Sequence, residues 1–285
     1  MGDRAFYRHY LLLAVPMILQ NAITNLVSFL DNIMVGQLGT EQMSGVAIVN
    51  QLIFVYNLAI FGAVSAASIF GAQYFGNGDH RGHMHSFRFK LYATLLVSGL
   101  TMLLLLTKGS DLISLYLTDT AGNGATDVAL QYGKQYLVIM LVGLVPFAVN
   151  QAYATNIKET GQTLVPMLAS FVAVGTNAVL DYLLIFGVGP FPELGVTGAA
   201  LATVIARYVE AVIVVLWAHR NREKNRYLEG AYRGFGIPVS ELKTILIKGL
   251  PLMFNEVLWA AGMTTVTQCY SVRGLDVVAG LNIAT

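Results

Sequence analysis

Charge and cysteine are both scarce in this chain. Asp, Glu, Lys and Arg together make up 12% of its 285 residues, about half the share found in soluble domains. Formal net charge is +1, which gives no basic surface for nucleic acid and no acidic face for a basic partner. Cys269 is the only cysteine; an internal disulfide and a thiolate metal cluster are therefore excluded. No Walker A segment, HExxH pair or nucleophile elbow occurs, so nothing points to direct ATP coupling or to an enzyme. The first ten residues, MGDRAFYRHY, hold no short apolar core followed by a small-residue cleavage site, and the apolar run after them is too long for a signal peptide.

Hydrophobic residues are what the chain has in excess. They make up 55% of it, and mean hydropathy is +0.62. A helix needs about 20 apolar residues to cross a bilayer. The runs predict spans at Tyr10–Gly36, Val46–Phe75, Phe89–Leu106, Ala129–Ile157, Leu164–Gly187, Gly195–Ala218 and Thr244–Tyr270, with an eighth opening near Asp276. DLISLYL (Asp111–Leu117) is too short to span and is expected at an interface or as an extension of its neighbour. Pro16, Pro146, Pro166 and Pro251 fall inside spans, where adjacent helices can take over the hydrogen bonds that proline removes. The fold class is an all-α polytopic membrane protein.

Lys and Arg set the expected orientation. Arg4 and Arg8 precede span one. Arg81, Arg88 and Lys90 follow span two, Lys158 follows span four, and Arg220, Arg222, Lys224, Arg226, Arg233 and Lys243 follow span six. The alternate loops carry Glu41; Lys108 with Asp111, Asp119 and Asp127; Glu193; and Arg273 with Asp276. Positive charge thus collects on one side, placing the N-terminus in the cytoplasm of a multi-pass protein of the cell membrane. His80, His83 and His85 add to the charge of one loop, a plainer reading than a metal site.

The chain also repeats itself. A shift of 235 residues lays LLLAVPMILQN over LIKGLPLMFNE, pairing Pro16 with Pro251, Gly39 with Gly274, Glu41 with Asp276, Gly45 with Gly280 and Ile48 with Ile283 without a gap. Six spans precede the second copy, so both copies start on the same side: a parallel repeat, one of the two transporter types. Duplication predicts a whole of about 450–470 residues. The expected organisation is a six-helix lobe over 1–220, a linker over 221–243 and the opening of a second lobe over 244–285.

Several polar residues interrupt the spans. Asp31 lies near the far end of span one, as an interfacial carboxylate in water or as an ion site. Asn177 and Asp181, four apart, share a helix face and offer hard oxygen ligands for a small cation, or a local hydrogen bond. Glu256 lies in span seven at the repeat position of Asn21; an acid so deep is functional by default. Arg207 and Glu210, three apart, are expected to neutralise each other. Lys134, near the start of span four, can snorkel outwards.

LDNIMVGQLG, GAQYFGNGD, NAVLDYLLIFG and LGVTGAALAT, in this order, resemble the multidrug and toxic compound extrusion (MATE) family over essentially the whole chain. The resemblance implies a twelve-helix fold in two six-helix lobes, of which this chain carries the first lobe, span seven and the start of span eight. It also implies a cavity between the lobes and export of organic cations driven by sodium or proton entry, with no cofactor beyond that ion. Asp31 matches the family's central cation or proton site; Asn177 and Asp181 are its partners, a possible sodium site, with Thr203 completing it across a loop lengthened by about four residues around PFPE. Glu256 matches an acid that some members point into the cavity. Two carboxylates sharing a site cannot both ionise cheaply without a cation or proton between them. The complete protein is expected to act as a monomer in the bilayer. A lipid-linked sugar flippase is the nearest alternative, but its pyrophosphate favours Arg and Lys, whereas acids outnumber bases in these spans. A membrane receptor or scaffold without transport is the other.

Overall fold

The computed structural model describes residues 4–117, 125–234 and 236–271. Among them the chain forms eight α-helices and a short 3-10 turn, with no strand: α1 Arg4–Gly36, α2 Thr40–Gly76, α3 His80–Ser114, α4 Ala125–Val142, α5 Leu144–Glu159, α6 Leu164–Phe186, α7 Val196–Arg220, the turn Arg226–Leu228, and α8 Val239–Ser271. Among the described residues five helices are long and apolar enough to cross a membrane, and α4 with α5, bent by 45°, counts as a sixth when the pair is taken as one span. This is a polytopic helical membrane protein. α8 forms where span seven was predicted but is not among those six. The eighth span lies outside the described residues.

Local signals set the ends. Asp79 caps α3, its carboxylate accepting from the backbone N–H of Arg81 (3.1 Å) and Gly82 (3.0 Å), as a helix start requires. Gly187 ends α6 at φ 64°, a left-handed turn that glycine adopts without strain. DLISLYL extends a neighbour, α3 running on to Ser114. Two expectations are corrected. Pro166 lies in the first turn of α6, where no intrahelical N–H is missed. The histidines occupy the opening turns of α3 rather than a loop.

Where the single span Ala129–Ile157 was expected there are two helices meeting at a 45° bend, because Pro146 cannot donate to the carbonyl of Val142. Neighbours serve the backbone around the break. Tyr208 Oη donates to Val142 O (3.5 Å), Arg207 Nη1 to Gly143 O (3.4 Å) and Tyr56 Oη to Leu144 O (2.8 Å). Proline is tolerated in membrane helices through such replacement.

α2 is the central helix, packed against α1, α3, α4, α5 and α8, while α6 and α7 pair closely and α1 lies on α6. Small residues make these approaches possible. A Cβ on Gly45 would stand 2.5 Å from the carbonyl oxygen of Ala129, and one on Gly198 2.6 Å from that of Leu184. One apolar core runs through α2, α4 and α7; a second, with Phe87, Tyr153, Ile157 and Val214, encloses Tyr227, Leu228 and Ala231 just beyond α7. Leu96, Leu100, Leu103 and Leu104 of α3 face outwards. Both copies of the repeat are helical where they carry their proline: Pro16 lies inside α1 and Pro251 inside α8.

Candidate functional site

Asp31 near the end of α1, Asp181 near the end of α6 and Thr203 near the start of α7 meet at one end of the bundle. They line a cavity of about 620 Å³ whose walls also include Asn50 and Asn57 of α2, Tyr136 and Met140 of α4, Arg207 of α7, and Trp259 and Met263 of α8. The carboxyl groups of Asp31 and Asp181 lie within hydrogen-bonding reach of each other. Asp181 is 1% exposed, so water cannot solvate it freely. Among the described residues no donor in full hydrogen-bond geometry reaches either oxygen of Asp181 or Oδ1 of Asp31. Asn177, one turn before Asp181, is buried and approaches the same carboxyl, but its Nδ2 meets no acceptor in good geometry. Thr203 Oγ1 donates to Ala199 O (3.0 Å), which leaves its lone pairs available.

α1, α6 and α7 are tied together a little deeper in the bundle. Gln20 Nε2 donates to Ser170 Oγ (2.6 Å), and Ser170 donates on to Glu210. Glu210 thus accepts from Ser170 and forms no ion pair with Arg207, so the pairing expected along α7 is reduced to an electrostatic interaction without direct contact. The Arg207 guanidinium instead sits 5.1 Å from the centroid of the Phe147 ring and reaches Gly143 O. Lys134 is exposed on α4. Glu256 falls within α8, but its side chain lies outside the described residues.

Sequence reasoning passed over Gln20, Asn50, Asn57 and Tyr136. Asn50 and Asn57 are seven apart in an otherwise apolar helix, hence on one face, a signal that was available. Tyr136 donates to Asn50 Oδ1 (3.2 Å) and stands within electrostatic reach of Asp31, Asp181 and Arg207. No spacing in the sequence foretells that.

The opposite end of the bundle is a second polar region of different character. Lys90, fully buried, bonds Glu159, and His83 Nε2 lies 3.3 Å from the other carboxylate oxygen. His85 meets Glu241 at 2.8 Å. Arg88 donates to the carbonyls of Ala231 (2.8 Å), Gly236 (2.8 Å) and Gly230 (2.6 Å). Arg88 and Lys90 are not the free surface charges expected of a loop; both are buried and committed. Among the described residues no group of three or more His, Cys, Asp or Glu is placed to hold a metal.

The MatE family model matches residues 16–183. "Probable multidrug resistance protein NorM" of Thermotoga maritima is 27% identical over 95% of this chain and 56% of its own length. The protein of the same description from Rhizobium meliloti is 30% identical over 78% of this chain and 46% of its own. The chain thus spans about half the length of the curated relatives it matches. A solved structure described as the outward-facing conformation of a multidrug resistance MATE family transporter superposes with a TM-score of 0.77 at 22% identity, covering 95% of this chain and 58% of that one. With more than half of its residues matched by the family model, this chain belongs to the MatE, or multidrug and toxic compound extrusion, family.

Proposed function

We propose that the complete protein is a cation-coupled antiporter that exports amphipathic organic cations by alternating access between two lobes. The observation that carries this reading is the pairing of Asp31 with Asp181 in a cavity shared by α1, α2, α4, α6, α7 and α8. Two carboxylates brought together away from bulk water repel, and the repulsion is relieved when a proton or cation joins them. An exported cation that enters the same cavity competes for that negative charge. Binding of one then favours release of the other, which is the linkage that exchange requires.

The donor set suits a small hard cation: two carboxylates, the Asn177 amide oxygen and the Thr203 hydroxyl are all oxygen ligands. Sodium and the proton are both compatible with it, and Glu256 is a further acid for the same path. In this reading the N-terminus is cytoplasmic, the membrane is the cell membrane, residues 244–285 open the second lobe and the whole works as a monomer. The relatives described as multidrug resistance proteins support the choice of cargo.

Efflux of a fluorescent cation from cells expressing the complete gene, with and without an imposed sodium gradient, tests the reading and identifies the ion. Asp31→Asn and Asp181→Asn should each abolish coupled efflux while leaving membrane expression intact. Unchanged efflux in both variants rejects the proposal.

A further inference from the structure

The cavity is not uniformly acidic. Arg207 lines it together with Asp31 and Asp181, and among the described residues its guanidinium forms no ion pair. One long hydrogen bond to Gly143 O and the Phe147 ring face are its direct contacts, with Tyr136, Tyr56 and Glu210 within electrostatic reach. A guanidinium carries five N–H donors in a planar fork matched to an oxyanion. One that makes so few hydrogen bonds while lining a cavity keeps most of that donor capacity for what enters there.

Geometry sets the distance between the two charges. Thr203, beside the acidic pair, and Arg207 are four residues apart on α7, hence on one face and about 6 Å apart along the axis at 1.5 Å per residue. Tyr136 lies within electrostatic reach of both signs. Resting on the cation-export reading given above, we propose that Arg207 is an anion-recognition site in the cargo cavity. The cargo it selects is an amphipathic cation that also carries a carboxylate or sulfonate, about one helical turn from its positive charge. The acidic pair holds the cationic end and Arg207 grips the anionic end bidentately.

A purely structural Arg207, tying down the bend at Gly143, is the competing explanation, and substitution separates the two. Arg207→Gln keeps an N–H donor for Gly143 O and loses the charge. The probes are a cationic xanthene dye with a free carboxylate and its ethyl ester, assayed as transport by the full-length protein in proteoliposomes under an imposed sodium or pH gradient. Arg207→Gln should raise the KM for the carboxylate dye about tenfold or more, the span of one charge-assisted hydrogen bond, and leave the ester within about twofold. Arg207→Lys, which keeps charge without the fork, should fall between. Equal loss of both dyes, or no change for either, in Arg207→Gln overturns the inference and leaves the antiport reading standing. Should Arg207→Gln fail to fold, an Arg207→Lys protein that treats the two dyes alike overturns it equally. Transport of neither dye by the unaltered protein defeats both readings together.

Discussion

Arg88→Met isolates one side chain that fastens a whole segment. Methionine preserves much of the apolar stem and removes the guanidinium, which bonds the carbonyls of Gly230, Ala231 and Gly236 at 2.6–2.8 Å. Hydrogen bonds to a charged group contribute about 1.5–3 kcal/mol each. Three of them do not add, because one buried cation makes all three and its desolvation offsets part of the gain. The net loss should be about 3 kcal/mol, which opens the segment about 10²-fold more often. The segment is not held by Arg88 alone: Tyr227, Leu228 and Ala231 are 1%, 6% and 3% exposed and pack into the second core. Release should therefore be graded. Hydrogen exchange read by mass spectrometry ought to show the amide of Arg233, bonded to Gly230 O (2.9 Å), accelerating most, and that of Leu228, bonded to Asn225 O (3.0 Å), least. Amides in the middle of α6 should not change. Uniform acceleration throughout the protein, or none in 228–233, would refute the argument that Arg88 is a local clamp.

Two further perturbations test the packing. Gly45→Val places a side chain where even a Cβ would stand 2.5 Å from Ala129 O and 2.9 Å from Gly133 N; backbone cannot move aside as a side chain can. It should cost about 1–3 kcal/mol, seen as a lowered Tm in detergent, whereas Gly175→Val, with open space around it, should leave Tm within a degree or two. Lys90→Met strands the buried Glu159 and should cost about 3–5 kcal/mol, while Lys90→Met with Glu159→Gln should recover much of that in the same assay.

Spans and repeat were legible because each rests on a local property, apolar length for one and the spacing of Pro16 and Pro251 for the other. The meeting of Asp31 with Asp181 was legible only through family likeness. Their 150-residue separation leaves no periodic trace, and what joins them is the packing of α1 on α6. Where the reading failed, it failed over tertiary competition for polar groups. Glu210 lies three residues from Arg207, the right spacing for a pair, yet Ser170 on α6 offers it a closer donor. The backbone at the α4–α5 break claims Arg207 in turn. Arg88 and Lys90 were misjudged for a similar reason. A positive charge in a short connection looks solvated until the segment beyond α7 folds over it.

The two polar regions differ in a way that bears on where function resides. At the end formed by α3, α5 and residues 226–234, each buried cation is matched: Lys90 by Glu159, Arg88 by four carbonyls. Matched charges of this kind resist change, since breaking one leaves the other uncompensated in an apolar surround. At the other end Asp31, Asp181 and Arg207 share a cavity, and among the described residues none of them forms an ion pair. Holding charges near one another without joining them is costly in any protein, and more so within a membrane. Apolar residues would fill that space at lower free energy. In the antiport reading proposed above, an entering proton or cation supplies the compensation that Asp31 and Asp181 lack.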